Sequence, residues 1–86
     1  MSASLVIQDI YNIPGMDLLM LGTVKSGNLK KGMKLDISGK IMLVKALQAN
    51  DKQIAEAKQG DFIGLSLQNG DFKLLSEHKG KEVRFS

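Results

Sequence analysis

Short apolar stretches recur along the chain at intervals of about ten residues, separated by glycines or other turn residues. Apolar and polar residues alternate at 34–38 and 62–67, which is the period of a strand with one buried face. Residues 18–25 are mostly apolar, as in a strand buried on both faces. Further stretches lie at 5–12, 41–47 and 82–85. The pattern predicts an all-β domain, a small antiparallel β-barrel of six to seven strands, because closure removes exposed strand edges.

Two segments depart from this pattern. Residues 48–60 have good helix propensity, with Asn50 placed to cap a helix and Gly60 placed to end it. Only Ile54 and the alanines would face a core, so we predict a turn and a short strand at 53–57, with a helix as the alternative. Residues 71–78 have the apolar spacing of a helical turn, and a closing strand is expected after them.

The length of 86 residues predicts a single domain over 1–86, because a chain of this size builds only one hydrophobic core. The absence of cysteine excludes a disulfide framework, a thiolate metal site and a thiol nucleophile. The first residues are small and polar, and the apolar block at 18–21 is far shorter than a membrane span. We therefore expect a cytoplasmic protein that makes no membrane contact.

The formal net charge is +3, and eleven of the twelve basic residues are lysine. Lysine is a hydrated point charge, whereas arginine binds phosphate or guanine bidentately, so RNA would be attracted by its backbone and not read by its bases. The densest basic cluster surrounds a glycine-rich turn, and Lys40 and Lys45 would join it if the neighbouring strands pair. The cluster consists of Lys25, Lys30, Lys31 and Lys34. It indicates either a phosphate-facing surface or charges that keep a hairpin soluble and protect its edges.

No motif for catalysis or for a cofactor is present. Residues 27–32 match the first half of a phosphate-binding loop, but Met33 and Lys34 follow where the motif needs Lys and then Ser or Thr. His78 is the single histidine and the acids are scattered, so no catalytic set or metal site can be chosen. We expect a non-enzymatic protein without a cofactor or metal. Tyr11 suits either stacking on a base or a partly buried place in a strand.

Three segments together resemble a known family. They read VIQDIY, GTVKSGNLKKG and AKQGDFIGL, at 6–11, 22–32 and 57–65. In order and glycine spacing they resemble domain 2 of the translational GTPases, such as elongation factor Tu and the bacterial-type initiation factor 2. The resemblance covers residues 5–68, and 69–86 would add the helical turn and closing strand. It implies a small antiparallel β-barrel, expected here as a stand-alone domain without the GTPase domain and therefore without GTP binding by this chain alone.

The resemblance also implies site residues. In elongation factor Tu this domain helps to hold the aminoacyl end of transfer RNA, and the matching positions here are Gln8, Asp9, Tyr11, Leu21 and Phe62. Asp9 and Tyr11 keep the family's pattern, whereas Leu21 and Phe62 are apolar where polar contacts are expected. Asp17 and Met33 also replace a usual glycine and a usual aspartate.

The leading hypothesis is a translation-related module that binds RNA, as transfer RNA or as part of the ribosome. Its contacts would be Lys25, Lys30, Lys31, Lys34, Asp9 and Tyr11. The alternative is a protein-interaction module that docks on a partner protein, which an exposed apolar patch near Met16, Leu18 or Met33 would favour. An enzyme is the third class, and it would require two converging carboxylates with raised pKa values.

Overall fold

The computed structural model describes residues 2–86, which form nine β-strands and one short helix. The turn at Ser38 and Gly39 illustrates how the strands are joined, because both residues have a positive φ (54° and 85°) of the kind that tight hairpins need. In chain order the elements are β1 (Ala3–Tyr11), β2 (Leu18–Ser26), β3 (Leu29–Lys30), β4 (Lys34–Ile37), β5 (Lys40–Ala49), β6 (Lys52–Ile54), β7 (Glu56–Ala57), β8 (Phe62–Gln68), α1 (Phe72–Ser76) and β9 (Glu82–Phe85).

Six of the strands close into an antiparallel barrel. They follow the order β4-β9-β1-β2-β8-β5, and β5 pairs with β4 to complete the circle. Strand β6 extends the sheet beyond β5, and β3 pairs with β7 in a separate two-stranded sheet. The predicted fold class, a small antiparallel β-barrel, is therefore confirmed.

The interior of the barrel is filled by alternate side chains from all six strands. Leu5, Met20, Leu65 and Phe85 are among its fully buried side chains. Strand β2 shows the alternation, since its inward side chains are buried while Leu19 and the other outward side chains are only partly covered. The expectation that 18–25 is buried on both faces is therefore wrong, because the outer face of a closed barrel has no second layer over it among residues 2–86.

The segment 48–60 is not a helix. Asn50 and Asp51 have positive φ values of 53° and 63°, which turn the chain back and let β6 pair with β5. A bend at Ala55 then divides the predicted strand into β6 and β7. Ala57 is fully buried opposite Leu29, so pairing and burial outweigh the local helix propensity.

Two bulges shape the pairing of β1 with β2. Ser4 pairs with Ser26 but Leu5 pairs with Val24, so Lys25 is an extra residue in β2. Further along, Gln8 is the extra residue in β1. A bulge bends its strand and redirects a side chain, and here each bulge presents a polar side chain on the outside of the barrel.

After β8 the chain forms helix α1, which is capped by Asp71, whose carboxylate accepts a hydrogen bond from the backbone N–H of Leu74 at 3.0 Å. Leu75 of this helix is fully buried against the barrel. Strand β9 then pairs with β1 and β4. Within residues 2–86 no helix has the length and apolar character that crossing a membrane requires.

Candidate binding surface

The four predicted lysines lie on consecutive elements and are all exposed. Lys25 is the bulged residue near the end of β2, Lys30 lies in β3, Lys31 follows it in the turn, and Lys34 opens β4. We call Lys25, Lys30, Lys31 and Lys34 the basic turn. The β2–β4 connection therefore projects four ammonium groups from one short region of the chain.

The backbone of the basic turn is held from both sides. Gly27 has a φ of +70°, and a Cβ there would overlap the carbonyl oxygen of Ser2, so the turn packs directly on the start of β1. The backbone N–H of Met33 donates to the carbonyl of Lys30 at 3.3 Å, and Gly32 N–H donates to the carbonyl of Val44 at 2.9 Å. The lysines are thus carried by an ordered turn.

The four lysines of the basic turn make no ion pair within residues 2–86, although Glu56 of β7 lies opposite Lys30 of β3. Within residues 2–86, none of its four lysines lies within 4.0 Å of a carboxylate oxygen. Three other lysines form ion pairs with aspartates. The Nζ–Oδ distances are 3.0 Å for Lys45–Asp17, 3.3 Å for Lys79–Asp9 and 3.9 Å for Lys40–Asp71. Lys40 and Lys45 therefore do not add free charge to the basic turn, although β4 and β5 pair as expected.

Arg84 adds a positive charge that the sequence analysis did not include. Ser4 lies between Ser26 of β2 and Arg84 of β9, because β1 pairs with both of those strands. The Arg84 guanidinium is 3.5 Å from the hydroxyl of Ser2. Only the pairing of β1 with β9, across almost the whole chain, places Arg84 near the basic turn, so no local sequence signal could have found it.

A hollow of about 260 Å³ lies beside Lys30 of the basic turn. It is lined by Ser2, Gly27, Asn28 and Lys30. Hydroxyl, amide and ammonium donors beside unneutralised lysines provide the groups that bind a phosphate oxygen.

Asp9 and Tyr11 are brought together near the end of β1. The Asp9 carboxylate accepts hydrogen bonds from the backbone N–H of Ile10 and from the Tyr11 hydroxyl, each at 3.0 Å, and forms the ion pair with Lys79. We call Asp9, Tyr11 and Lys79 the Asp9 cluster. Hydrogen bonds from Ile10 N–H, Tyr11 and Lys79 lower the pKa of Asp9 below its ordinary value of 3.8. The Asp9 carboxylate in turn raises the pKa of Tyr11 above 10.0.

The other residues implied by the resemblance lie on the same outer face. Leu21 pairs with Asp9 in β1 and with Gly64 in β8, and Phe62 of β8 is 51% exposed. Leu21, Phe62 and Gly64 line a hollow of about 270 Å³. Gln8 is separated from them, because it bulges outward and lines another hollow. The hollow at Leu21 and Phe62 therefore combines these apolar side chains with polar side chains at Gln48, Asn50 and Asp51.

Within residues 2–86, no group of three or more His, Cys, Asp or Glu side chains is arranged to hold a metal ion.

The closed antiparallel barrel defines the class of the chain as a small β-barrel domain, a fold that it shares with a translation elongation factor. Its structure aligns over the full chain with translation elongation factor SelB from Methanococcus maripaludis, with a TM-score of 0.79 and 23% sequence identity. The chain covers 19% of that protein. No family model matches the sequence.

Sequence comparison gives the family. The chain is 36% identical over 69 residues to elongation factor 1-alpha of Desulfurococcus mucosus, covering 78% of this chain and 16% of that protein. It is 34% identical over 65 residues to the same factor of Methanoculleus marisnigri, covering 73% of this chain and 15% of that protein. The chain belongs to the domain 2-like β-barrels of translation factors, and it spans less than a fifth of the length of the relatives it matches.

Proposed function

We propose that this barrel is a non-catalytic module that binds RNA, as transfer RNA or as part of the ribosome, through the basic turn. The observation that carries the proposal is the concentration of four exposed lysines within residues 25–34, none with a carboxylate partner in residues 2–86. Four other lysines are also unpaired there, but they are scattered along the chain at positions 52, 58, 73 and 81. The elongation factor relatives make RNA a reasonable polyanion to test first. The proposed role is cytoplasmic and includes no GTP binding.

The mechanism is electrostatic. RNA carries condensed counterions along its phosphates, and lysines that replace them gain free energy from their release. Lysine ammonium groups make point contacts and do not read base edges, so the proposed binding tolerates many sequences. Apparent affinity should then fall steeply as the salt concentration rises. The hydroxyl and amide donors of Ser2 and Asn28, beside Lys30, offer further contacts to phosphate oxygens.

The proposal is tested by titrating fluorescently labelled transfer RNA, and separately ribosomes, with the chain at low and at moderate salt. We expect saturable binding at low salt that weakens strongly at moderate salt. Absence of saturable binding even at low salt would contradict the proposal.

Docking on a partner protein is the second candidate. Met16 is 67% exposed and Ile13 is 44% exposed, both in the β1–β2 connection, which supports an apolar contact there. Leu18 is buried and Met33 is half-buried, so they contribute little to such a patch. A partner captured from source lysate that survives nuclease treatment and is lost in Met16→Ser would favour this candidate, whereas release by nuclease would favour RNA.

A further inference from the structure

A third hollow, of about 550 Å³, lies on the outside of the barrel beside both bulges. Its lining includes Val6 and Gln8 of β1, Thr23 and Lys25 of β2, and Lys79. It is separate from the hollow at Leu21 and Phe62, with which it shares no lining residue. The bulges create it, because they displace the Gln8 and Lys25 side chains from the regular positions of the pleat.

The segment after helix α1 forms one wall of this hollow. The N–H of Gly80 donates to the carbonyl of Ile7 at 2.7 Å, and the N–H of Ile7 donates to the carbonyl of Lys81 at 3.0 Å. The Lys79 side chain also attaches this segment to β1, through its ion pair with Asp9. The wall is therefore fixed to β1 by three interactions, so the hollow is preformed.

The lining of the hollow combines apolar, polar and positively charged side chains. Val6 supplies a half-buried apolar surface, and Thr23 and Gln8 supply a hydroxyl and a carboxamide. Two ammonium groups, from Lys25 and Lys79, complete the lining, and within residues 2–86 no carboxylate lines it. Lys25 has no ion-pair partner among those residues. Lys79 uses only part of its three-donor ammonium on Asp9.

We propose that this hollow binds a monocarboxylate with an apolar body, which places the carboxylate between Lys25 and Lys79 and the apolar part on Val6. A single negative charge fits because Asp9 already offsets much of the charge of Lys79, which leaves about one net positive charge at the site. The proposal does not depend on RNA binding.

The ligand has two sources with the same chemistry, a free aliphatic acid and the C-terminal carboxylate of a peptide that ends in an apolar residue. Hexanoate probes the first source. A short peptide ending in leucine, offered with a free carboxylate and as its amide, probes the second. Binding of either carboxylate supports the proposed class, and the peptide pair then distinguishes the sources.

The test is a titration of the ¹⁵N-labelled chain with hexanoate, followed by amide chemical shifts. We expect saturable shifts in the millimolar range at residues that line the hollow. Lys25→Gln should weaken the affinity about tenfold, because it removes a charge-assisted hydrogen bond. Thr23→Val should weaken it less. Lys73→Gln, which removes the same charge on helix α1, should leave the affinity unchanged.

Three results would overturn the proposal. The first is the absence of saturable shifts with either hexanoate or the free-carboxylate peptide. The second is an equal response to hexanol or hexylamine, which would mean that only an apolar contact is made. The third is inorganic phosphate producing the same shifts at equal affinity, which would mean that the site has no preference for a carboxylate with an apolar body. None of these measurements involves RNA, so they are independent of the proposed role of the basic turn.

Discussion

The Asp9 cluster and the basic turn are both polar regions on the outside of one barrel, but they balance charge in opposite ways. In the Asp9 cluster, one carboxylate receives a backbone N–H, a tyrosine hydroxyl and an ammonium group. In the basic turn, four ammonium groups have no carboxylate within 4.0 Å among residues 2–86. A self-satisfied cluster supports the local structure, whereas an unneutralised one is available to an external anion.

The largest effect on stability is expected from a substitution at Gly27, whose backbone packs the basic turn on the start of β1. Gly27→Ala places a Cβ on a residue with φ +70° and against the Ser2 carbonyl, so we expect a loss of roughly 2–4 kcal/mol in the free energy of unfolding. Gly39→Ala is the matched control, because its φ is +85° but its Cβ would meet nothing within 4 Å.

The control substitution should therefore cost only the backbone strain, about 1–2 kcal/mol. Urea denaturation of both variants measures the difference. Equal losses would mean that the basic turn is not packed on the start of β1, which would undermine the ordered geometry assigned to its lysines.

A smaller effect, on the pKa of Tyr11, is expected from a substitution in the Asp9 cluster. Asp9→Asn removes the carboxylate that disfavours the tyrosinate, so the pKa of Tyr11 should fall towards its ordinary value of 10.0. The chain has a single tyrosine, so the absorbance of tyrosinate during a pH titration reports this residue alone. Asp17→Asn removes an acid that is paired with Lys45, and it should leave the titration unchanged. An unaltered Tyr11 titration in Asp9→Asn would show that the two groups are not coupled.

The same cluster predicts a pH dependence of stability. Folding lowers the pKa of Asp9, so its stabilising contribution is present above its ordinary pKa of 3.8 and is lost as the pH falls through the lowered value. The urea midpoint of the wild type should therefore exceed that of Asp9→Asn at neutral pH, and the gap should close in acid. A gap that persists unchanged below the lowered pKa would contradict the assignment to the ionised carboxylate.

The smallest effect on stability is expected from the lysines of the basic turn. They are exposed and unpaired, so replacing three of them by glutamine should change the free energy of unfolding by about 0.5 kcal/mol or less. We define the basic-turn variant as Lys30→Gln, Lys31→Gln and Lys34→Gln, and the control variant as Lys52→Gln, Lys73→Gln and Lys81→Gln. Both remove three charges, and Lys25 is kept because it also lines the larger hollow. A large loss in the basic-turn variant would indicate a structural role for these lysines.

Alternating or continuous apolar residues made strands β2 and β4 predictable. The alternation at 34–38 corresponds to β4, and the apolar stretch at 18–25 corresponds to β2. Strand β3 has two residues, too few to show a period, and it exists because Leu29 is buried opposite Ala57. The helix propensity of 48–60 does not prevail, because the local β5–β6 hairpin and the pairing of β7 with β3 outweigh it, in agreement with the predicted turn and short strand.

The candidate site was only partly predictable for the same reason. The four lysines of the basic turn are local in sequence, so their proximity could be inferred. Arg84 and Lys79 reach the outer surface near β1 through contacts that span most of the chain. The pairing of Lys45 with Asp17 also depends on the closed barrel, and the sequence contains no sign that it removes Lys45 from the free basic charges.

The most direct test of RNA binding by the basic turn is the salt dependence of the affinity for labelled transfer RNA. The slope of log K against log salt should become shallower by roughly 2 in the basic-turn variant, since each lost phosphate contact removes about 0.7–0.9. The control variant should keep the slope of the wild type. Equal slopes for the two variants would contradict the assignment of RNA binding to the basic turn.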